Sequence, residues 1–428
     1  QAFNGRSFVT LTNTSVLRNG NNRDANVTSL DYGLYDRTNT YSVTGAFRYS
    51  TVFGETPYYS IAAPYRYISS VDTVHRNGQT TVLPYDGFSG RLRLAKQSGR
   101  LQYSLGANLE SDTYDPNDLG LLQAPNKVTY SGQVTWHQFQ PTRNFLNYNY
   151  GLQVRNEYLY RPYAFSQLEI TTHAFWLLKN MWDIQLVIGG EPVSKRDYFE
   201  LRTPGRFLRQ PRYFYAFVEG STDSRKRLYV SYDLGFAEAD MPNNPYYSTE
   251  IGLRYRFSNQ FNLSLNLERN HDNNQIGYAF AREANGEPIV GFRDWKEVSA
   301  ILSGNYNFTS RMNLTLRARH YWSRLEYNSF RNVTADGHYT PRAFVDGMDG
   351  NFNAFNVDAF FTWDFRPGSR VILGWKNWLG DDYQSLSNVV RNRYYNRNLS
   401  NALSLPHTNE VTLRVIYFLD YNQLRGRR

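Results

Sequence analysis

Residues 355–366 read FNVDAFFTWDFR, and this stretch decides the fold. Its residues at odd positions are Phe355, Val357, Ala359, Phe361, Trp363 and Phe365, and they alternate with Asn356, Asp358, Phe360, Thr362 and Asp364. Because successive side chains of a strand point to opposite faces, the alternation predicts a β-strand with one apolar face. A helix would scatter the polar residues through its apolar stripe.

The same alternation recurs from end to end of the chain, for example over residues 101–109, 146–154, 261–268, 314–322 and 411–419. We count about eighteen such segments, each with the roughly 9–11 residues that a tilted strand needs to cross a bilayer. Short turns such as 97–99, 258–260 and 367–368 alternate with mostly long connections such as 112–126 and 189–208. Tight turns at one rim and long loops at the other are typical of outer-membrane β-barrels.

Composition agrees with a membrane-spanning barrel. Aromatic residues make up 16% of the 428 residues, yet the mean hydropathy is −0.61. A barrel strand combines both properties, because one face meets lipid and the other meets water. The chain has no cysteine, which excludes disulfides and thiolate metal sites. We therefore predict an all-β fold, an antiparallel transmembrane β-barrel of about 18 strands over residues 1–428, in the outer membrane with both termini periplasmic.

Charged residues in the polar phase of the strands are predicted to face the lumen. They are Arg48, Arg91, Arg93, Arg155, Asp233, Glu250, Arg254, Arg256, Arg317, Arg319, Asp358, Lys376, Glu410 and Arg414. Both signs occur, which argues against a strongly ion-selective pore. Two interpretations stay open: ion pairs that brace the wall or hold a plug, and a weakly selective polar channel.

Aromatic residues near the predicted strand ends are expected to form two girdles at headgroup level, because amphipathic rings are stable there. The candidates are Trp136, Trp176, Trp182, Trp322, Phe365 and Tyr417. A second interpretation concerns tyrosines assigned to outer loops, which would suit a surface on which sugars stack: Tyr58, Tyr59, Tyr65, Tyr67, Tyr246 and Tyr247.

The sequence offers little for catalysis, metals or nucleic acid. The seven histidines are dispersed, and only His271 beside Asp272 neighbours a carboxylate near the outer rim. Two acidic stretches, 112–118 and 346–351, contain oxygen ligands suited to a hard cation, but neither has the spacing of a calcium loop. Basic residues do not cluster as nucleic-acid binding requires, despite the net charge of +9. We predict no catalytic site, cofactor or metal.

Several stretches carry a family resemblance: residues 13–43, 111–122 (SDTYDPNDLGLL), 355–377 and 410–427 (EVTLRVIYFLDYNQLRGR). The chain is similar to a Bacteroidota family of outer-membrane β-barrels of unknown function. The resemblance implies a carbohydrate-binding-like domain of family 9 type and several strands in front of the point where this chain begins. It therefore implies that the chain is the C-terminal barrel portion, and it supplies no activity or catalytic residues.

Three functions follow as expectations. The first is a pore, open or plugged, for polar solutes such as glycans, and the second is a non-enzymatic scaffold subunit of a larger outer-membrane complex. The third is an outer-membrane hydrolase, which requires His271 to contact a carboxylate and a hydroxyl. The expected partners are the lipid bilayer, lipopolysaccharide and other outer-membrane proteins or lipoproteins.

Overall fold

The computed structural model describes residues 6–20, 23–57, 72–76, 78–122, 124–203, 205–379 and 394–419. These residues form 24 strands and one helix. The strands are β1 Phe8–Val16, β2 Asp24–Tyr35, β3 Tyr41–Phe53, β4 Thr56–Pro57, β5 Thr73–Arg76, β6 Gln79–Val82, β7 Tyr85–Lys96, β8 Leu101–Glu110, β9 Lys127–Gln138, β10 Phe145–Leu159, β11 Ala164–Leu178, β12 Asp183–Glu191, β13 Arg196–Asp197, β14 Leu208–Arg209, β15 Tyr213–Ser221, β16 Leu228–Ala239, β17 Pro245–Arg256, β18 Phe261–Arg282, β19 Pro288–Thr309, β20 Met312–Val333, β21 Tyr339–Pro341, β22 Gly350–Arg366, β23 Ser369–Leu379 and β24 His407–Ile416, and helix α1 is Tyr395–Ser404.

One antiparallel sheet of nineteen strands contains almost all of the wall. Eighteen of these strands follow one another in chain order from β1 to β24, and β21 pairs only with the end of β20. Every second connection is short, as at residues 97–100, 257–260, 310–311 and 367–368. These connections define the short-turn rim, and the connections at the opposite end define the long-loop rim. The predicted strand number and antiparallel order are confirmed.

The strand register separates the wall into two chemical faces. Leucines of different strands, such as Leu30, Leu105, Leu267 and Leu413, share one face, and all of them are strongly exposed. The polar residues of seven neighbouring strands, β2 to β11, enclose a cavity of about 440 Å³ on the opposite face. That face is therefore concave. We call it the inner face and the apolar one the outer face.

Three strands are longer than the predicted crossing segments, because they continue past the wall at the long-loop rim. β18, β19 and β20 each contain 22 residues. Leu201 and Leu208, from the connection between β12 and β15, pack with Val290 and Val333 of this extension. Val345 and Met348 pack against a second cluster that contains Ile289 and Phe330. Packing partners at two separate clusters let the three strands continue beyond the apolar band.

Hydrogen bonds and an ion pair hold residues 198–212 against the same extension. The backbone N–H of Tyr278 donates to Oε1 of Glu200 at 2.7 Å, and Arg206 pairs with Glu287. Arg206 also donates to the carbonyl of Val333 at 2.6 Å. The segment leaves the wall at β12, yet it is fixed to strands four and more places further along. It therefore bridges part of the long-loop rim.

Helix α1 lies against the outer face of β20 and β22. Its buried Asn398 accepts a 2.6 Å hydrogen bond at its carbonyl from Asn353, and Asn353 also bonds to His320 at 2.8 Å. Nε1 of Trp322 donates to Asn351 at 2.7 Å in the same cluster. Polar side chains on this part of the outer face are thus covered by the helix. Among the described residues, no helix is both long and apolar enough to span a membrane.

The first and last wall strands have one neighbour each within the described part of the chain. β1 pairs only with β2, and β24 pairs only with β23. Their outward side chains are correspondingly uncovered: Leu11 is 72% exposed and Val411 is 70% exposed. Both free ends, Phe8 and Ile416, lie at the short-turn rim, because they pair near Gly33 and Arg370.

Candidate functional site on the inner face

The register places the fourteen charged residues singled out from the sequence on the inner face. Arg48 pairs with Ser89, and Arg91 and Arg93 follow Ser89 in the same phase of β7. On the last strands, Arg317, Asp358, Lys376 and Glu410 lie directly opposite one another in a single row. The other members of the set lie at strand positions whose side chains belong to the same, inner face: Arg155, Asp233, Glu250, Arg254, Arg256, Arg319 and Arg414.

Few of these charges are in direct ion pairs. Within the described residues, only Arg48 with Asp31, at 3.2 Å, and Arg155 with Glu157, at 3.0 Å, have an oppositely charged partner within 4 Å. The row from Arg317 to Glu410 alternates in sign, yet none of its members contacts its neighbour as an ion pair. A wall braced by interlocked salt bridges would show these contacts, so the geometry favours solvated charges.

An acidic row crosses four adjacent strands of this face. Glu219 of β15 lies opposite Asp233 of β16, Asp233 opposite Glu250 of β17, and Glu250 opposite Glu268 of β18. Opposed side chains of an antiparallel pair have Cβ atoms about 4.5–5.5 Å apart, and like charges in this position repel. Amides supply two contacts: Asn266 donates to Glu250 at 2.7 Å, and Asn270 donates to Glu268 at 2.9 Å.

Water weakens the electrostatic repulsion between the carboxylates of such a row. Two unit charges about 6 Å apart repel by roughly 0.7 kcal/mol in water, and by roughly 3 kcal/mol at an effective dielectric constant near 20. Three consecutive like pairs in a poorly hydrated interior would thus cost on the order of 8 kcal/mol, comparable to the whole stability of many domains. Four ionised carboxylates side by side therefore require a hydrated inner face.

Basic residues occupy other parts of the wall. Arg48, Arg91 and Arg93 lie on β3 and β7, which are six or more wall strands away from the acidic row. Arg93 lines the 440 Å³ cavity together with Gln102, Gln133, His137 and His173. Arg254 and Arg256 follow Glu250 on β17 towards the short-turn rim, so charges of both signs are distributed along the inner face.

Residues 111–122 fold inward over β3 and β7. Gly87 lies opposite Ser50 on the inner face, and a Cβ built on Gly87 would lie 2.3 Å from the backbone of Tyr114. The N–H of Asp115 donates to Oγ of Ser50 at 3.0 Å, and the hydroxyl of Thr113 donates to the carbonyl of Asp86. We call residues 111–122 the inner loop, because its backbone packs on the concave side of the wall.

Arg23 fixes the inner loop by two ion pairs. Its guanidinium lies 2.6 Å from Asp115 and 2.7 Å from Asp118, and Arg18 adds a second pair with Asp118 at 2.8 Å. Burial alone would lower the pKa of Arg23, but Tyr85, Asp115 and Asp118 raise it above its ordinary value. The guanidinium therefore stays charged at every physiological pH.

The same contacts bear on the predicted cation loops. Asp115 and Asp118 are neutralised by arginines, and Asp349 in the other stretch accepts a 2.8 Å hydrogen bond from the N–H of Tyr327. In the described part of the chain, no three His, Asp or Glu residues are grouped to hold a metal ion. The oxygen atoms that would bind a cation mostly have protein partners.

His271 and Asp272 do not form the pair that a hydrolase would need. They are consecutive in β18, where His271 follows Leu267 and Arg269 on the outer face and Asp272 belongs to the inner phase. Nε2 of His271 has no hydrogen-bond partner among the described residues. Asp272 is bonded to Gln275 at 2.7 Å instead. This arrangement removes the residues on which the hydrolase expectation depended.

The predicted girdle residues are placed unequally. Trp136 and Trp176 lie on the outer face towards the short-turn rim, Trp182 is exposed in the turn before β12, and Phe365 packs near Tyr417 with ring centroids 6.2 Å apart. Trp322 is the exception, since it is only 5% exposed. Its placement in an exposed girdle was wrong, because the indole belongs to the polar cluster under α1.

The loop tyrosines also differ from expectation. Tyr58, Tyr59, Tyr65 and Tyr67 lie outside the described residues. Tyr246 and Tyr247 are not loop residues but consecutive members of β17, where they point to opposite faces. They cannot form one stacking surface.

An antiparallel wall with exposed leucines outside and mostly unpaired charges inside defines a transmembrane β-barrel protein. The family follows from the whole chain, since residues 1–428 match the model of a domain of unknown function (DUF5916), and the chain belongs to that family.

Comparison with solved structures finds two outer-membrane receptors with low sequence identity to this chain and TM-scores below 0.5. A mutant of the ferric enterobactin receptor PfeA from Pseudomonas aeruginosa is 10% identical, with a TM-score of 0.46, and the match covers 87% of this chain and 67% of the receptor. The siderophore receptor PirA from Acinetobacter baumannii is 10% identical, with a TM-score of 0.44, and the match covers 96% and 73%. No curated protein matches the chain.

Proposed function

We propose that this protein forms the wall of an outer-membrane pore that passes polar solutes. The acidic row from Glu219 to Glu268 carries this proposal, because its four carboxylates can all be ionised only where water lines the inner face. The shortage of ion pairs among the other inner charges points the same way. Exposed leucines on the outer face supply the complementary lipid contact.

Neutral polar solutes such as glycans suit the cavity near Gln102, Gln133 and His137, because its lining offers amide and imidazole hydrogen-bonding groups. Charges of both signs along the inner face would orient dipolar solutes without binding either ion strongly. The pore is therefore expected to discriminate only weakly between cations and anions.

Single-channel recording in planar bilayers tests the proposal. The wild-type protein is expected to conduct with weak ion selectivity. A variant with Glu219→Gln, Asp233→Asn, Glu250→Gln and Glu268→Gln should shift its reversal potential towards anions. A matched variant with Glu55→Gln, Asp240→Asn, Asp336→Asn and Asp346→Asn loses four exposed loop charges and should keep the wild-type selectivity. A wild-type barrel that inserts and stays closed would refute the pore.

We propose that the short-turn rim and both described ends face the periplasm, as in outer-membrane barrels generally. The contrast between the two-residue turn 310–311 and the extended connections at the other rim supports this orientation. On intact cells, a membrane-impermeant reagent should label a cysteine placed at Asp336 and leave a cysteine placed at Asn259 unlabelled. Labelling at Asn259 alone would reverse the orientation.

We also propose that further strands complete the barrel between β1 and β24. Open strand edges in hydrocarbon leave backbone groups without partners, at several kcal/mol each. The family resemblance supports this proposal, since it places earlier strands and a carbohydrate-binding-like domain before such a barrel. Cysteine scanning along β1 and β24 tests it. Efficient disulfide formation directly between those two strands would show that they close the wall themselves.

A scaffold role is the second candidate. The extension of β18–β20, with residues 198–212 fixed against it, forms an ordered platform at the long-loop rim. Such a platform suits contact with lipoproteins or other outer-membrane proteins. Co-purification of stoichiometric partners with a non-conducting barrel would favour this role over the pore. The expectation that the protein is not an enzyme stays a prediction.

A further inference from the structure

A polar row that includes Lys296 and Arg324 crosses the outer face at the top of its apolar band. Tyr247, His271, Lys296 and Arg324 lie directly opposite one another on β17, β18, β19 and β20. Arg269 belongs to the next row down, diagonal to Lys296, and it is exposed. Below Arg269 the outer face of β18 carries Leu267, Leu265 and Leu263.

Two of these cations have no acidic partner. Among the described residues, neither Arg269 nor Lys296 has a carboxylate within 4 Å, whereas Arg324 pairs with Glu326. The other acid above the row, Asp294, accepts hydrogen bonds from the N–H of Asn274 and from Asn328, both at 2.9 Å. Asp294 thus makes its close contacts with neutral donors, and Arg269 and Lys296 have no ion-pair partner among the described residues.

The height of the row coincides with the edge of the hydrocarbon. Phe261 begins β18 at the short-turn rim, and Arg269 and His271 follow eight and ten residues later. At about 3.3 Å per residue and a tilt of about 40°, they stand roughly 20 and 25 Å above Phe261. The apolar band of a transmembrane barrel is about 25 Å tall, so Lys296, which is level with His271, lies at its upper edge. Arg269 starts about 5 Å lower, and its long side chain reaches up to the headgroups.

We propose that Arg269 and Lys296 form a binding site for the phosphate of a lipid headgroup in the outer leaflet, of the bisphosphorylated lipid A type. This proposal rests on the outer-membrane location proposed above. Diagonal neighbours across two strands are about 7–8 Å apart, so both long side chains reach a single phosphate between them.

Helix α1 borders the site on one side. Its Asn398 is held against Asn351 and Asn353, which continue the rows of Arg324 and Trp322 on β22. The exposed Arg397 follows at the same level. Tyr247, which is half exposed, borders the opposite side. A headgroup bound here would thus sit between an aromatic residue and an amphipathic helix, both common at membrane interfaces.

Native mass spectrometry of the full chain in detergent tests the site. The probes are bisphosphorylated lipid A, the same lipid without phosphate, and inorganic phosphate. The wild-type protein should retain one lipid A. A double variant, Arg269→Ser with Lys296→Ser, should bind it about thirtyfold more weakly, from roughly 1 kcal/mol per cation. The matched control, Arg143→Ser with Lys179→Ser, removes two exposed cations at the short-turn rim and should bind like the wild type.

Three results would overturn the site: equal losses in the two double variants, equal retention of the dephosphorylated lipid, or inorganic phosphate binding as tightly as the lipid. The last result would assign the residues to a free anion. Bilayer conductance of the Arg269 and Lys296 variant should equal that of the wild type. Selective lipid retention by a closed barrel would thus refute the pore and leave the lipid site intact.

Discussion

Replacing Arg23 with alanine should release the inner loop from the wall. The guanidinium connects residues 17–23 to Asp115 and Asp118, whose side chains are 1% and 9% exposed. The arginine itself is 13% exposed. After the substitution, Arg18 still pairs with Asp118 at 2.8 Å, so Asp115 is the carboxylate that loses its cation.

The size of the effect follows from that burial. Removing one partner of a buried ion pair costs about 3–5 kcal/mol, because the other charge stays buried without compensation. Since Arg18 remains and Tyr85 donates to Asp115 at 2.6 Å, the lower end applies, about 3 kcal/mol. Each 1.4 kcal/mol is a factor of ten, so the opening equilibrium of the inner loop should rise about 150-fold.

Hydrogen–deuterium exchange of the barrel in detergent measures that opening. The amides to follow are those of Tyr114, Asp115 and Asn117, which donate to Ser111, Ser50 and Asp115 respectively. Their exchange should accelerate about 150-fold, while amides of β10 and β11 stay protected. The matched variant Arg225→Ala breaks an ion pair with Asp223 in a short turn, where the arginine is 68% exposed, and should leave the exchange of the inner loop unchanged.

Exchange of the inner loop within threefold of the wild type would refute this reasoning. It would show that the hydrogen bonds from the Asp115 N–H to Ser50 and from the Thr113 hydroxyl to Asp86 hold the loop without the arginine. Single-channel conductance adds a second readout, because a released inner loop no longer occupies a fixed place on the concave face. A larger or noisier current is expected for Arg23→Ala, and an unchanged current would place the loop away from the conduction path.

Three further predictions concern other parts of the fold. Gly87→Val should displace the inner loop as Arg23→Ala does, because its Cβ would clash with Tyr114, and exchange of the loop amides measures this effect. Asn353→Leu should detach α1, which trypsin cleavage after Arg397 would report. Burial raises the pKa of Asp272, just beyond the membrane-crossing part of β18, to about 6. The folded protein therefore binds a proton at Asp272 more tightly than the unfolded chain does. Its stability should fall as the pH is raised from about 4 to about 6. Asp272→Asn should remove this fall in thermal unfolding scans.

Alternation in the sequence predicted the strands, their antiparallel order and the two faces, because a period of two is a property of each strand alone. The acidic row could not be predicted in this way. Glu219, Asp233, Glu250 and Glu268 are separated by 14, 17 and 18 residues, and only the register of three turns brings them side by side. Asp233 and Glu250 were recognised as inner charges, but the row and its member Glu219 were missed.

The inner loop and the covered Trp322 were missed for a similar reason. An acidic, proline-containing loop predicts a turn, but the arginine that neutralises it is about 90 residues earlier in the chain. Trp322 follows the outer phase of β20, as a girdle residue should, and only the return of α1 to that surface buries it. Contacts made by loops that fold back on the wall depend on tertiary structure. They cannot be predicted from the periodicity of a single strand.

The charges on the inner face and those on the outer face indicate independently where water and where lipid surround the wall. On the inner face, ionised carboxylates extend down to the level of Glu250 and Glu268, where the outer face carries Ile251 and Leu267. On the outer face, the first cations appear only at Arg269 and Lys296, about 20–25 Å from the short-turn rim. A soluble sheet has no reason to keep charges at one height on one face and exclude them on the other. Both patterns follow if water fills the inside of the wall and a hydrocarbon layer surrounds its outside. The upper edge of that layer then lies near Arg269.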